Sequence, residues 1–181
     1  MNIRTSLNKV SFTVLMTLFI ISCNKVDKGV SISREQLSEI EQDILKVNRY
    51  ILKKNRDHIH GFIHRTGWEM RETGSGLYIM FTNEGNGALP VKGNTVILDY
   101  KMMLIDGTLL SSSEKDGVLE VTIGSGELIN GLEEAISLMR SGSIVRIIVP
   151  PYLAYGNFGD REKGIPPDAI LLYELKLRKI H

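Results

Sequence analysis

The run Leu119-Glu120-Val121-Thr122-Ile123-Gly124-Ser125-Gly126-Glu127-Leu128-Ile129-Asn130-Gly131-Leu132 changes its hydrophobic period once, and that change sets the fold class. From Leu119 to Ile123 apolar and polar residues alternate, so the segment reads as a strand with one buried and one wet face. From Leu128 onward the apolar positions Ile129, Leu132, Ile136 and Met139 fall on one side of a helix, spanning residues 128–139. Gly142 stands where a helix commonly ends.

Strand patterns lie on both sides of this switch. Val96, Leu98 and Tyr100 alternate with Thr95, Ile97, Asp99 and Lys101, and both sets are partly apolar. Asp106-Gly107 then turns the chain into Thr108-Leu109-Leu110, a hairpin signal. Residues 143–149 and 170–180 are strands again. The order is strand, hairpin, strand, one helix, strand, long loop, strand. One helix against a mostly antiparallel sheet is an α+β fold.

The long loop, residues 152–167, carries the functional signal. Loops longer than about 12–15 residues inside a compact domain are usually functional or disordered. This one is bracketed by Pro150-Pro151 and Pro166-Pro167, which stiffen its stems by fixing φ, and it holds Tyr152, Tyr155 and Phe158. Rigid stems with aromatic contents suit the lip of a pocket.

Upstream, residues 33–57 place Leu37, Ile40, Ile44, Val47 and Ile51 three and four apart, one stripe of a long N-terminal helix. Ser33 and Gln36 form a capping-box pair at its start. Lys53, Lys54 and Arg56 suit the negative end of the helix dipole. The stripe is about three heptads, short for a coiled coil, so it packs within its own chain or supports a weak homodimer. His58, His60 and His64 cluster where the helix pattern fades, and Gly61 is placed to break it. His60 and His64 share i, i+4 spacing, but no acidic or cysteine ligand stands at a matching interval, so a solvated helix end is the preferred reading and no metal is assigned. Trp68, the single tryptophan, precedes the turn Gly74-Ser75-Gly76 and the strand-like Leu77-Tyr78-Ile79-Met80-Phe81. It reads as a core anchor for this segment.

At the front, Arg4 and Lys9 precede an apolar stretch over residues 10–21, too short to span a bilayer, which takes about 20 apolar residues. Its length and flanks match a secretory signal. Ile20-Ile21-Ser22-Cys23 follows. Cys23 is the only cysteine, so no disulfide forms within the chain. A lone cysteine closing a signal resembles the lipobox of bacterial lipoproteins, with the alternative of an ordinary signal and an incidental thiol. The expected organisation is a signal peptide over 1–23 with lipidation at Cys23, a polar tether over 24–32, the helix and lead-in strand over 33–89, and a folded domain over 90–181. The formal net charge is +1 and no basic block is interleaved with aromatics, so nucleic acid is excluded as a partner.

Within residues 92–181 five landmarks stand in one order: Tyr100, Asp106-Gly107-Thr108, Gly124 through Gly131, Pro150-Pro151-Tyr152-Leu153-Ala154-Tyr155-Gly156, and Ile165-Pro166-Pro167-Asp168-Ala169. Together they resemble the FKBP-type peptidyl-prolyl cis-trans isomerases. The resemblance implies a curved antiparallel half-barrel sheet wrapping one short helix, and a proline slot lined by Tyr100, Leu110, Leu119, Leu128, Ile129, Leu132 and Tyr173. It implies a peptide hydrogen bond from the Tyr155 hydroxyl, and a lip made by Phe158 and Ile165. It also implies proline-containing segments of unfolded or exported proteins as substrates, no cofactor, and a bacterial cell-envelope location, lipid-anchored to a membrane and facing the periplasm. Periplasmic relatives of the macrophage infectivity potentiator type dimerise through N-terminal helices. Gly67-Trp68-Glu69-Met70, followed by Gly-Ser-Gly-Leu-Tyr, resembles the lead-in of the gliding-motility-associated isomerase lipoproteins.

The chain departs from the family pattern at its slot. Leu132 stands where a tryptophan floor is usual, Leu110 and Leu119 where phenylalanines are usual, and Ser111 in place of an aspartate. A leucine-lined slot is apolar but wider, and the acceptor that polarises its wall is expected to be missing. Turnover is therefore expected to be weaker, and the rival reading is an FKBP-like chaperone or assembly component that holds chains without turning them over. A hydrolase or metalloenzyme has little support. Glu133 and Glu134 are neighbours that point to different faces of a helix, and all four histidines fall before Gly67 or at the terminus.

Overall fold

The computed structural model describes residues 33–181. The expected signal peptide, tether and lipidation at Cys23 lie outside the described residues. The described residues fall into two units, divided between Lys46 and Val47.

Helix α1 runs Arg34–Thr66 and begins with the expected reciprocal cap. Gln36 N–H donates to Ser33 Oγ at 3.2 Å and Ser33 N–H donates to Gln36 Oε1 at 3.0 Å. The helix is longer than its apolar stripe, because Gly61 is tolerated inside it and Gly67, at φ 66°, follows its last residue. Its final turn therefore carries His64 and Arg65, and Lys53, Lys54 and Arg56 sit mid-helix instead. In the first unit Leu37, Ile40 and Ile44 are exposed among the described residues.

In the second unit seven strands form one open antiparallel sheet in the order β1 (Arg71–Glu72), β2 (Tyr78–Asn83), β6 (Ile144–Val149), β7 (Leu171–Ile180), β3 (Thr95–Leu104), β4 (Leu109–Ser112). The seventh, β5 (Leu119–Thr122), also pairs with β3. The fold is α+β, as the period change implies. Register shifts interrupt β2, β4 and β7 pairing at Phe81/Asn83, Met102/Met103 and Ile97/Leu98, and such bulges bend a strand and raise its twist.

Strands β4 and β5 share one edge of β3. Lys101–Met103 pair with β4, and Thr95–Leu98 pair with β5. Between them the chain leaves the edge for a single helical turn, α2 (Ser113–Asp116), which the serine run did not announce. The ladder break is filled by a side chain: Tyr100 N–H donates to Ser113 Oγ at 3.2 Å.

Both faces of the sheet are covered, which explains uninterrupted apolar runs such as Ile147-Ile148-Val149 and Ile170-Leu171-Leu172. On one face Leu77, Ile79, Val96, Leu98, Val145 and Ile147 pack with Leu132, Ala135 and Ile136 of α3 (Asn130–Ser137). On the other, Tyr78, Ile148, Ile170 and Leu172 meet Ile59, Phe62 and Ile63 from the C-terminal part of α1. Trp68 is half-buried against this second cluster, with Phe62 edge-on at 5.4 Å and the Arg146 guanidinium 4.8 Å above its ring. It anchors the lead-in segment, as its isolation in the sequence suggests.

Helix α3 is shorter than its apolar pattern. It begins after Ile129 and its C-cap is Leu138, while Gly142 lies in the next turn, its N–H on Leu177 O at 2.9 Å. Burial of Met139 beyond the helix end extends the periodic pattern without extending the helix. Gly131 makes the close approach possible, since a Cβ there would stand 2.5 Å from Val149 Cγ1.

Candidate active site

A cavity of about 410 Å³ opens between the sheet and the entry to α3. Its sheet wall begins with β3, where Tyr100 and Met102 are two residues apart and so share a face. Met102 stands directly opposite Tyr173 of β7. The Tyr173 hydroxyl donates to Met102 Sδ at 3.0 Å. Burial pushes the Tyr173 phenol far above its ordinary pKa, and the neighbouring Tyr155 and Tyr100 add to the shift.

Leu110 from β4 and Leu119 from β5 close one side. Leu132, 5% exposed, forms part of the lining from α3. Leu128 and Ile129 stand at the helix entry, half-buried, and no acceptor meets Ile129 N–H among the described residues. An unpaired N–H at a helix start is a ready donor for a carbonyl. The preceding glycine-rich turn is tied to the helix by Gly124 N–H, which donates to Glu133 Oε1 at 2.7 Å. Glu134 accepts instead from the Ser75 hydroxyl at 2.5 Å, so the two acids do face apart.

The fourth wall is the long loop. It is ordered from within: Pro151–Leu153 form a 3-10 turn, and Asp160 and Ile165 make an antiparallel bridge. Tyr155 lines the cavity, and the Lys163 ammonium lies 5.1 Å over its ring. Lys163 is held in place by Asp160 Oδ2 at 2.9 Å, and this hydrogen bond raises its pKa.

Eight of the residues expected from the sequence are thus brought together around one hollow: Tyr100, Leu110, Leu119, Leu128, Ile129, Leu132, Tyr155 and Tyr173. The two expected lip residues do not line it. Phe158 projects to solvent at 85% exposure, and Ile165 is drawn into the core at 3%. Ile165 pairs with Asp160 in the antiparallel bridge, and Phe158 lies outside that bridge. In their place the rim carries Glu127, Glu162 and Lys163.

The sequence reading also missed one residue. The wall acceptor expected to vanish with Ser111 is supplied by Asp116, five positions on. Tyr100 Oη and Ser111 Oγ are 2.8 Å apart, and the Ser111 hydroxyl donates to Asp116 Oδ2 at 2.5 Å. The α2 turn returns the carboxylate to this place, and nothing in the sequence period marks so short a helix.

Elsewhere in the second unit a larger hollow, about 670 Å³, is lined by Arg49, Leu52, Lys53 and Arg56 of α1 with Tyr78 and Tyr152. His60 lies edge-on to Tyr78, with Nε2 3.3 Å from its hydroxyl. His58, His60 and His64 are exposed, and no group of three metal-binding side chains comes together among the described residues. No described helix is long and apolar enough to cross a membrane.

Residues 87–178 match the family model described as FKBP-type peptidyl-prolyl cis-trans isomerase. The chain is 31% identical over 163 residues to the probable FKBP-type peptidyl-prolyl cis-trans isomerase FkpA of Neisseria meningitidis serogroup B, a match covering 84% of this chain and 59% of that one. It is 39% identical over 105 residues to the outer membrane protein MIP of Legionella longbeachae, covering 57% and 43% respectively. The chain thus spans about half the length of these two relatives. Among solved structures, a peptidyl-prolyl cis-trans isomerase from Pseudomonas syringae pv. tomato superposes with a TM-score of 0.61 at 25% identity, covering 73% of this chain and 94% of that one. With its open antiparallel sheet, the helix α3 packed on one face and a match over half its length, the chain belongs to the FKBP-type peptidyl-prolyl cis-trans isomerase family.

Proposed function

We propose that this protein is a membrane-anchored peptidyl-prolyl cis-trans isomerase that assists the folding of exported proteins. The observation that carries the reading is the 410 Å³ hollow whose lining joins apolar side chains from β3, β4, β5, α3 and the long loop.

Rotation about an X–Pro bond faces a barrier of roughly 18–20 kcal/mol, set by amide resonance. No bond is made or broken, so neither a nucleophile nor a metal is required. The twisted amide has less charge separation than the planar one, and a dry apolar slot favours it relative to water. Leu110, Leu119, Leu132 and the Tyr173 ring would exclude water around the prolyl ring. Ile129 N–H and the Tyr155 hydroxyl would hold the flanking carbonyls, so that the amide between them turns.

The anchor rests on the signal pattern and on Cys23, and the name of the Legionella relative, an outer membrane protein, supports an envelope setting. The Gly67-Trp68-Glu69-Met70 lead-in supports the narrower reading of a gliding-motility-associated lipoprotein. The exposure of Leu37, Ile40 and Ile44 among the described residues supports a weak homodimer.

A second reading, a chaperone that holds chains without turnover, is favoured by the 670 Å³ hollow, where the exposed Leu52 and Tyr152 stand beside Arg56 and Glu72. A protease-coupled assay of a proline peptide with purified residues 24–181 separates the two. Turnover above background supports the isomerase; a folded protein at background supports the chaperone.

A further inference from the structure

We infer that Asp116 is a positioning residue of the slot, acting through Ser111 to fix the Tyr100 hydroxyl. The inference rests on the isomerase reading and assigns a role to a residue outside the apolar lining.

The direction of the chain of hydrogen bonds follows from proton count. An ionised carboxylate only accepts. The single hydroxyl proton of Ser111 is given to Asp116 Oδ2, so Ser111 Oγ has only lone pairs left for Tyr100. Tyr100 must then donate, and its own oxygen keeps acceptor capacity alone towards the slot. The same Asp116 oxygen accepts from Ser112 N–H at 3.2 Å, which fixes the carboxylate from a second side. The Ser111 hydroxyl, with help from Ser112 N–H, holds the Asp116 carboxyl below the usual carboxylate range, so the acceptor stays charged at neutral pH.

The backbone prepares the same arrangement. Tyr100 lies at the break between the β4 and β5 ladders, where it lacks a strand neighbour on that edge and Ser113 Oγ takes its N–H. The α2 turn that supplies Ser113 is also the turn that brings Asp116 back to Ser111. One four-residue element thus secures both ends of Tyr100, its amide and its phenol. All three of Tyr100, Ser111 and Asp116 border the cavity. Without the carboxylate, Ser111 can give its proton to Tyr100, and the phenol is free to reverse its role or swing.

The test is a mutant cycle in the full-length protein, read by exchange rates of a proline peptide. Asp116→Asn is expected to lower kcat about tenfold, the loss of one charge-assisted hydrogen bond, with KM and the melting temperature nearly unchanged. In a Tyr100→Phe background the same substitution is expected to have no further effect. Ser111→Asp combined with Asp116→Asn, which puts a carboxylate directly beside Tyr100, is expected to restore most of the lost rate. Wild-type turnover in Asp116→Asn, or losses that multiply with Tyr100→Phe, would overturn the inference while leaving the isomerase reading intact. Background turnover by the wild type would sink that reading instead. The Tyr100 ring resonances in the same variants then read the coupling without turnover, and resonances unmoved by Asp116→Asn would overturn it.

Discussion

Met102 and Tyr173 face each other across β3 and β7, and the Tyr173 hydroxyl ends on the Met102 sulfur at 3.0 Å. A buried phenol needs a partner, and a thioether is a weak one that leaves the slot apolar. Tyr173→Phe is therefore expected to lower stability by only about 0.5–1.5 kcal/mol in denaturant unfolding, with peptide binding retained. A loss above that range would mean the hydroxyl has a further partner.

Burial also makes this group and Tyr78 sensitive to high pH. Tyr78 is raised from 10.0 to about 12, chiefly by burial and then by Glu72, and Tyr173 is raised further still. Both phenols are neutral in the fold while the unfolded chain ionises near 10. Their contribution is complete below that pH and is lost as pH rises through the folded values. Melting temperature is expected to hold steady up to pH 9 and fall between about 10 and 12, more slowly in Tyr78→Phe.

Gly131 sets how near α3 lies to the sheet. A Cβ there would reach 2.5 Å from Val149 Cγ1 and 3.2 Å from Leu153 O. Gly131→Ala must lift the first turn of α3, and with it Ile129 and Leu132. The expected result is about 1–3 kcal/mol of destabilisation from overpacking, with peptide affinity falling as well. Unchanged affinity in a destabilised variant would separate the helix position from the slot.

Ile59 is 1% exposed and ties α1 to the back of the sheet among Tyr78, Ile148 and Leu172. Ile59→Ala is expected to cost about 2–5 kcal/mol by denaturant unfolding, because the cavity it leaves is bounded by strands that cannot collapse. The slot is on the other face, so turnover of the folded fraction should be retained.

Most of the architecture was legible because burial is periodic. The alternation at Leu119-Glu120-Val121 and the helical spacing at Leu132, Ile136 and Met139 record which faces are covered. Helix ends were less legible, since Met139 is buried two residues beyond the end of α3 and continues the pattern. Gly61 read as a breaker, yet tertiary contacts of Ile59, Phe62 and Ile63 hold the helix through it. The apolar slot residues were found from ordered landmarks. Asp116 was not, because its place depends on a four-residue turn with no period of its own. Phe158 and Ile165 do not line the hollow, and the loop that carries them is shaped by a local bridge with no period of its own.

The central claim, that the hollow between the sheet and α3 eases rotation of a prolyl bond, is tested most directly by magnetisation-exchange NMR of a proline peptide with a sub-stoichiometric amount of the protein. Expected are cis–trans exchange cross-peaks that the free peptide lacks, weakened about three- to tenfold by Tyr155→Phe, which removes the hydroxyl proposed to hold a peptide carbonyl. A folded protein that binds the peptide yet leaves exchange at the rate of the free peptide would contradict it.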